Sequence, residues 1–148
     1  MDVTDRVYTA GMNDEEVDER LRECETGVLS LARDGDAYAI PVAFRYDGES
    51  IRFRLGDDGT STKLAYADAT ETASFLVYGY EGPDDSWSVI ASGPIRRVPP
   101  EAWDATAAAD LDEWYVPLRV FDEAIEETEL IGYELAIDAI TGRRTVRS

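Results

Sequence analysis

The 148-residue chain sets 32 acidic residues against 14 basic ones, a formal net charge of −18 that disfavours nucleic acid and anionic membranes as partners. It contains no histidine and one cysteine, Cys24, which excludes Ser-His-Asp and Cys-His catalysis, histidine zinc sites, thiolate clusters and internal disulfides. A hydrophobic fraction of 44% is ordinary for a globular protein, and the length suits one domain over residues 1–148.

Residues 1–12 carry no periodic pattern and are expected to be an irregular lead-in. Asn13 is suited to cap a helix whose first turn holds Asp14, Glu15 and Glu16, where negative charge favours the helix dipole. Val17, Leu21 and Cys24 then fall on one stripe, so the helix covers a core and Cys24 is a small buried hydrophobe. Val28 to Arg33, the turn Asp34-Gly35, and Ala37 to Tyr46 carry the signal of a β-hairpin. Pro41 lacks an N–H and should occupy an edge, a bulge or a ligand-facing stretch of the second strand. After Asp47-Gly48, Ser50 to Leu55 alternates Ile51, Phe53 and Leu55 with Arg52 and Arg54, the period of two of a strand buried on one face.

Gly56 to Thr60 is expected to be a loop and Ser61 to Ala69 a short helix. Further strands are predicted over Thr72 to Tyr80, over Ser86 to Val98 with a break at Gly93-Pro94, and over Leu130 to Asp138, ending near Thr141-Gly142. Pro99-Pro100-Glu101 favours a helix start, with two helices between Trp103 and Glu127. Six strands in successive hairpins predict a mainly β, α+β architecture: an antiparallel barrel with helices closing its ends.

Lys63 is the only lysine, and it follows glycines and two hydroxyl residues, Ser61 and Thr62, at a helix start. Backbone N–H groups, the positive end of the helix dipole and a point charge together suit a phosphate. The run Gly56 to Lys63 is not a nucleotide-hydrolysing P-loop, because Thr62 precedes Lys63, Leu64 follows it, and no parallel βαβ unit surrounds it. Set against a phosphate site is a capped helix with Lys63 in solvent, in a loop made acidic by Asp57 and Asp58. Arg52 and Arg54 share one face and could fork onto a phosphate or a ring carbonyl, or pair with nearby carboxylates. Trp87, ahead of Ser88 and Val89, is core or flanks a planar ring.

In order and spacing, these segments resemble the pyridoxamine 5′-phosphate oxidase-like superfamily of FMN-binding split β-barrels. The resemblance rests on the helix at 13–24 running into Gly27-Val28-Leu29, on Ile40-Pro41-Val42-Ala43-Phe44, on Ile51-Arg52-Phe53-Arg54 with Ser61-Thr62-Lys63, and on Trp87 through Gly93. It implies a six-stranded split barrel that dimerises and holds FMN between subunits. Ser61, Thr62 and Lys63 would then bind the phosphate, Val42, Ala43 and Arg45 would edge the ring, and Arg54, Leu55 and Ser88 would contribute nearby. The C-terminal tryptophan-containing motif by which the true oxidase holds its vitamin substrate has no counterpart, so that oxidation is not the expected reaction.

The functional expectation is a cytoplasmic, homodimeric FMN-dependent oxidoreductase of unknown small-molecule substrate, with no metal and no assigned catalytic residue. Without histidine, a bound organic cofactor must carry redox chemistry. Two alternatives stand beside it: a deazaflavin coenzyme in the same barrel, or a cofactor-free dimeric binding module. The distributed acidity, with arginine in place of lysine almost throughout, further suggests a chain adapted to molar salt.

Overall fold

The computed structural model describes residues 7–57, 62–99 and 129–147. In chain order the elements are β1 (Val7–Gly11), α1 (Asp14–Glu23), β2 (Thr26–Arg33), β3 (Asp36–Tyr46), β4 (Ser50–Asp57) and α2 (Thr62–Ala69). They continue with β5 (Ala73–Gly82), β6 (Asp85–Gly93), β7 (Ile95–Val98), β8 (Glu129–Ala136) and β9 (Ala139–Arg147). The predicted helices between Trp103 and Glu127 lie outside the described residues.

Local chemistry sets the first elements. Asn13 Oδ1 accepts from the Glu16 N–H at 2.8 Å while Glu16 reaches back to the Asn13 N–H, a reciprocal cap that fixes the start of α1. Asp34 and Gly35 both take positive φ, 51° and 84°, as a tight hairpin turn between β2 and β3 requires. At the next turn, Asp47 accepts from the Glu49 and Ser50 N–H groups and from the Ser50 hydroxyl.

The strands form one antiparallel sheet in the order β1-β9-β6-β5-β2-β3-β4-β8-β7. Among the described residues nine strands stand where six were expected, and the difference has a simple origin. β6 and β7 are one ribbon bent at Gly93-Pro94, and β8 and β9 are one ribbon bent at Ile137-Asp138. Because β6 pairs with β9 and β7 with β8, the sheet closes on itself. Two bonds span the bends: the Ala136 N–H donates to the Pro94 carbonyl at 3.0 Å and the Asp138 N–H to the Ser92 carbonyl at 2.9 Å. Six ribbons thus make the barrel, and β1 adds to the free edge of β9.

Three expectations need correction. The lead-in contains β1, and the last ribbon runs on to Arg147 instead of ending near Gly142. Both segments are strands because they pair, not because they alternate: Gly142 to Arg147 is mostly charged and polar, and its order comes from β6 and β1 on either side. β4 likewise continues through Gly56 and Asp57, which were expected to be loop, because β8 pairs with it as far as Glu129.

Leu29, Leu31, Phe44, Ile51, Phe53, Leu55, Phe75, Val77, Val89, Tyr133 and Leu135 fill the interior. Each such large side chain contributes roughly 1.5–3 kcal/mol by leaving water. The helices sit at opposite ends of the strands. α1 packs Val17 and Leu21 where Tyr46 ends β3, and α2 packs Leu64 and Ala67 where Tyr38 stacks on Tyr66. Pro41 pairs with Val28 of β2, while on its other side β3 joins β4 only from Phe44 onward, so the proline occupies a locally open edge as expected.

Candidate functional site

Alternation along β4 sends Ile51, Phe53 and Leu55 inward and Arg52 and Arg54 outward. Arg45 on β3 lies opposite Arg52, so Arg45, Arg52 and Arg54 share the outer face of β3–β4, while Ala43, which alternates onto the same side, is itself buried at 4% exposed. Glu134 of β8, opposite Arg52, accepts from both Arg52 and Arg96 at 3.2 Å. Arg52 is therefore held by a carboxylate, which is the structural of its two readings. Arg54 faces Gly132 across the β4–β8 ladder, is half-buried, and has its Nε shut off from solvent. Arg45 is exposed and lines a cleft of about 200 Å³ with Arg22, Cys24 and Tyr46. Burial raises the Cys24 thiol pKa, which suits the packing role expected for it and not a nucleophile.

α2 begins at Thr62, with Thr62 exposed and Lys63 half-buried in the first turn. Ser61 lies outside the described residues. A clamp at the far end of the helix fixes its position. Arg97 of β7 donates to both Asp68 oxygens at 2.9 and 2.5 Å, and the Tyr133 O–H donates to the same carboxylate at 3.0 Å. The Arg97 bonds hold the Asp68 carboxyl below the usual carboxylate range; partial burial opposes them and Tyr133 adds to them. Burial, then the bond to Asp68, pushes the Tyr133 phenol well above its ordinary range. Tyr133 also stacks on Phe53, so the clamp ties α2 to the barrel core.

The remaining candidates separate. Val42 and Leu55, 5% and 2% exposed, point into the core, and only their backbone can meet a ligand. Ser88 lies on β6, with β5 and β2 between it and β3. That is about 14 Å along a curving sheet at the usual strand spacing. One barrel thus brings together Ala43, Arg45 and Arg54, places Lys63 and Thr62 on the helix after β4, and sets Ser88 on another side.

Around Ser88 is a groove of about 550 Å³ that the sequence reading did not anticipate. Tyr78, Ser88 and Arg143 lie abreast across β5, β6 and β9, and Tyr80, Ser86 and Thr145 form the neighbouring row. The tyrosines are 63% and 65% exposed. Their signal in the sequence was the alternation of Tyr78 and Tyr80 with inward Phe75 and Val77. Arg143 had no such signal, since β9 was not anticipated. Among the described residues no helix is long and apolar enough to cross a membrane.

The family model for pyridoxamine 5′-phosphate oxidase matches residues 13–144. The chain belongs to this family. Among solved structures, an FAD-binding protein from Mesorhizobium loti superposes with a TM-score of 0.71 at 15% identity, covering 95% of this chain and 99% of that one. The FAD-binding protein from Mycobacterium smegmatis gives 0.63 at 19% identity, with 94% and 99% covered. A conserved protein of unknown function from Corynebacterium diphtheriae gives 0.63 at 22%, with 93% and 98% covered. No curated protein matches by sequence. At these identities the solved relatives establish the fold that the family shares, a split β-barrel.

Proposed function

We propose that this member of the pyridoxamine 5′-phosphate oxidase family binds FMN and works as an oxidoreductase on a small molecule. The observation that carries the reading is the position of Lys63. The only lysine of the chain stands half-buried in the first turn of α2, on the helix that directly follows the Arg54 strand. The donor set fits the cofactor. Lys63, Thr62, Ser61 and the first N–H groups of α2 bind the phosphate, Arg54 and Arg45 meet ring carbonyls or phosphate oxygens, and the backbone at buried Ala43 edges the ring. Val42 and Leu55 contribute backbone only. When bound, a flavin supplies the electron transfer that none of the chain's own side chains can perform.

Ser88 belongs to the same site only if a second copy provides it, because the outer faces of β3 and β6 diverge around one barrel. The exposed Tyr78, Tyr80 and Ile90 lie on β5 and β6 on one sheet face and support a homodimer. FAD is the second reading, favoured by its appearance in the names of the Mesorhizobium loti and Mycobacterium smegmatis proteins.

The test is the visible spectrum of the purified protein with mass analysis of what denaturation releases. FMN supports the reading, FAD transfers it to the second, and a blue-shifted deazaflavin band replaces the cofactor while keeping the barrel. A colourless protein that takes up no added flavin overturns it in favour of a cofactor-free binding module.

A further inference from the structure

A phosphate at the start of α2 would have to meet Lys63 and the first-turn N–H groups within hydrogen-bond range, and a displacement of about 1 Å forfeits that range. At eight residues the helix is too short to be stable alone, so its place depends on what it touches. Leu64 and Ala67 bury in the core and Tyr66 stacks on Tyr38. Apolar contacts of this kind are non-directional: they set the depth of a helix but let it slide and roll. Directional bonds hold the C-terminal half on two flanks. Toward β2, the Thr70 hydroxyl accepts from the Ala32 N–H at 3.1 Å and donates to the Tyr66 carbonyl at 2.6 Å. Toward β7 and β8, Asp68 receives the Arg97 fork and the Tyr133 O–H.

The second of these holds is more than a surface ion pair. A fork onto both carboxylate oxygens fixes orientation as well as distance. Tyr133 is 1% exposed and stacks on Phe53, so its O–H is a fixed point of the barrel that cannot follow a moving helix. The Arg97 guanidinium carbon lies 5.8 Å from the centre of the Tyr133 ring, which closes the triangle. Stability does not account for the arrangement, because a half-exposed pair contributes little and a phenylalanine would fill the core as well as Tyr133 does. What three converging bonds supply is the register of α2. Asp68 stands five residues after Lys63, about 7.5 Å along the axis, and a helix transmits a shift over that length as a rigid rod.

We propose that Asp68, Arg97 and Tyr133 are positioning residues for the phosphate end of the flavin site. They touch no ligand; they set the register of α2 and through it the aim of Lys63 and the first-turn N–H groups. This rests on the flavin reading for the identity of the anion, and it adds that affinity for the phosphate is set from the opposite end of the helix.

The test is fluorescence titration of the full chain with FMN and with riboflavin, which shares the ring and lacks the phosphate. The parent chain is expected to bind FMN about tenfold or more tightly than riboflavin, the value of a charge-assisted contact. Asp68→Asn should cut that preference by about threefold to tenfold while riboflavin affinity stays unchanged, as coupling through a backbone shift allows. Tyr133→Phe, which keeps the stacked ring and removes one bond, should act in the same direction and less, and it guards against a fold defect in the first variant. In a Lys63→Ala background Asp68→Asn should cost less, because the clamp acts through that lysine. A preference that survives both clamp variants, an equal loss for the two flavins, or a full-sized effect without Lys63 would each overturn the positioning role alone. A parent chain that binds FMN and riboflavin equally would overturn the phosphate reading of α2, and the positioning role with it.

Discussion

Two side chains of α2 divide its work between binding and position. Lys63, in the first turn, offers a flavin phosphate its charge-assisted contact, and Lys63→Ala should cost about 1.5–3 kcal/mol of flavin affinity. Flavin fluorescence titration checks this, and unchanged affinity would put the phosphate elsewhere. Asp68, in the last turn, holds the helix through Arg97 and Tyr133. Its folded pKa is depressed, so its contribution is present above the ordinary Asp value and is lost as pH falls through the folded one. Asp68→Asn should therefore lower stability at pH 7 by about 1 kcal/mol or less, since the pair is half-exposed and screened by solvent. The gap between variant and parent should close well below the unperturbed value of about 4. Urea unfolding at both pH values measures it, and a gap independent of pH would rule out the ion pair as its source.

The barrel closes at two bends, and closure depends on a missing side chain. A methyl group on Gly93 would overlap the Ala136 carbonyl oxygen, a backbone atom that cannot rotate away. Gly93→Ala should thus destabilise by about 1–3 kcal/mol, or disrupt the β6–β8 junction outright. Gly11→Ala meets nothing within 4 Å and serves as the control; equal denaturation midpoints for the two variants would refute the closure argument. These bends also explain what was legible in the sequence. β2 to β5 announced themselves by alternation and by the Asp-Gly turns, and the break at Gly93-Pro94 was visible as such. Arg52 and Arg54 were placed on one face by their spacing alone. β1 and β9 were not legible, because their order comes from partners distant in the chain, and Arg143 was lost with β9. Ser88 was named, but no local pattern could show that β5 and β2 separate it from Arg45.

Over the whole molecule, charge outweighs any single contact. With an excess of 18 negative charges, the folded state gathers like charges that the unfolded chain spreads apart, and self-repulsion opposes compaction. Pairs such as Arg22–Asp18 and Arg144–Glu16 relieve this locally, but acidic residues outnumber basic ones by more than two to one. Added salt relieves the remainder: the Debye length falls from about 30 Å at ~0.01 M to about 3 Å at ~1 M, shorter than most distances between surface carboxylates. The thermal midpoint should therefore rise steeply with KCl at low concentration and flatten near ~1 M, by about 3 °C for each kcal/mol recovered. The shape of the curve identifies the cause. Screening saturates and is the same for chloride and sulfate at equal ionic strength, whereas strengthened apolar burial keeps rising and favours sulfate. A midpoint that does not move between ~0.05 and ~1 M KCl would show that the acidic surface carries no stability cost, and the adaptation to molar salt inferred from composition would fall with it.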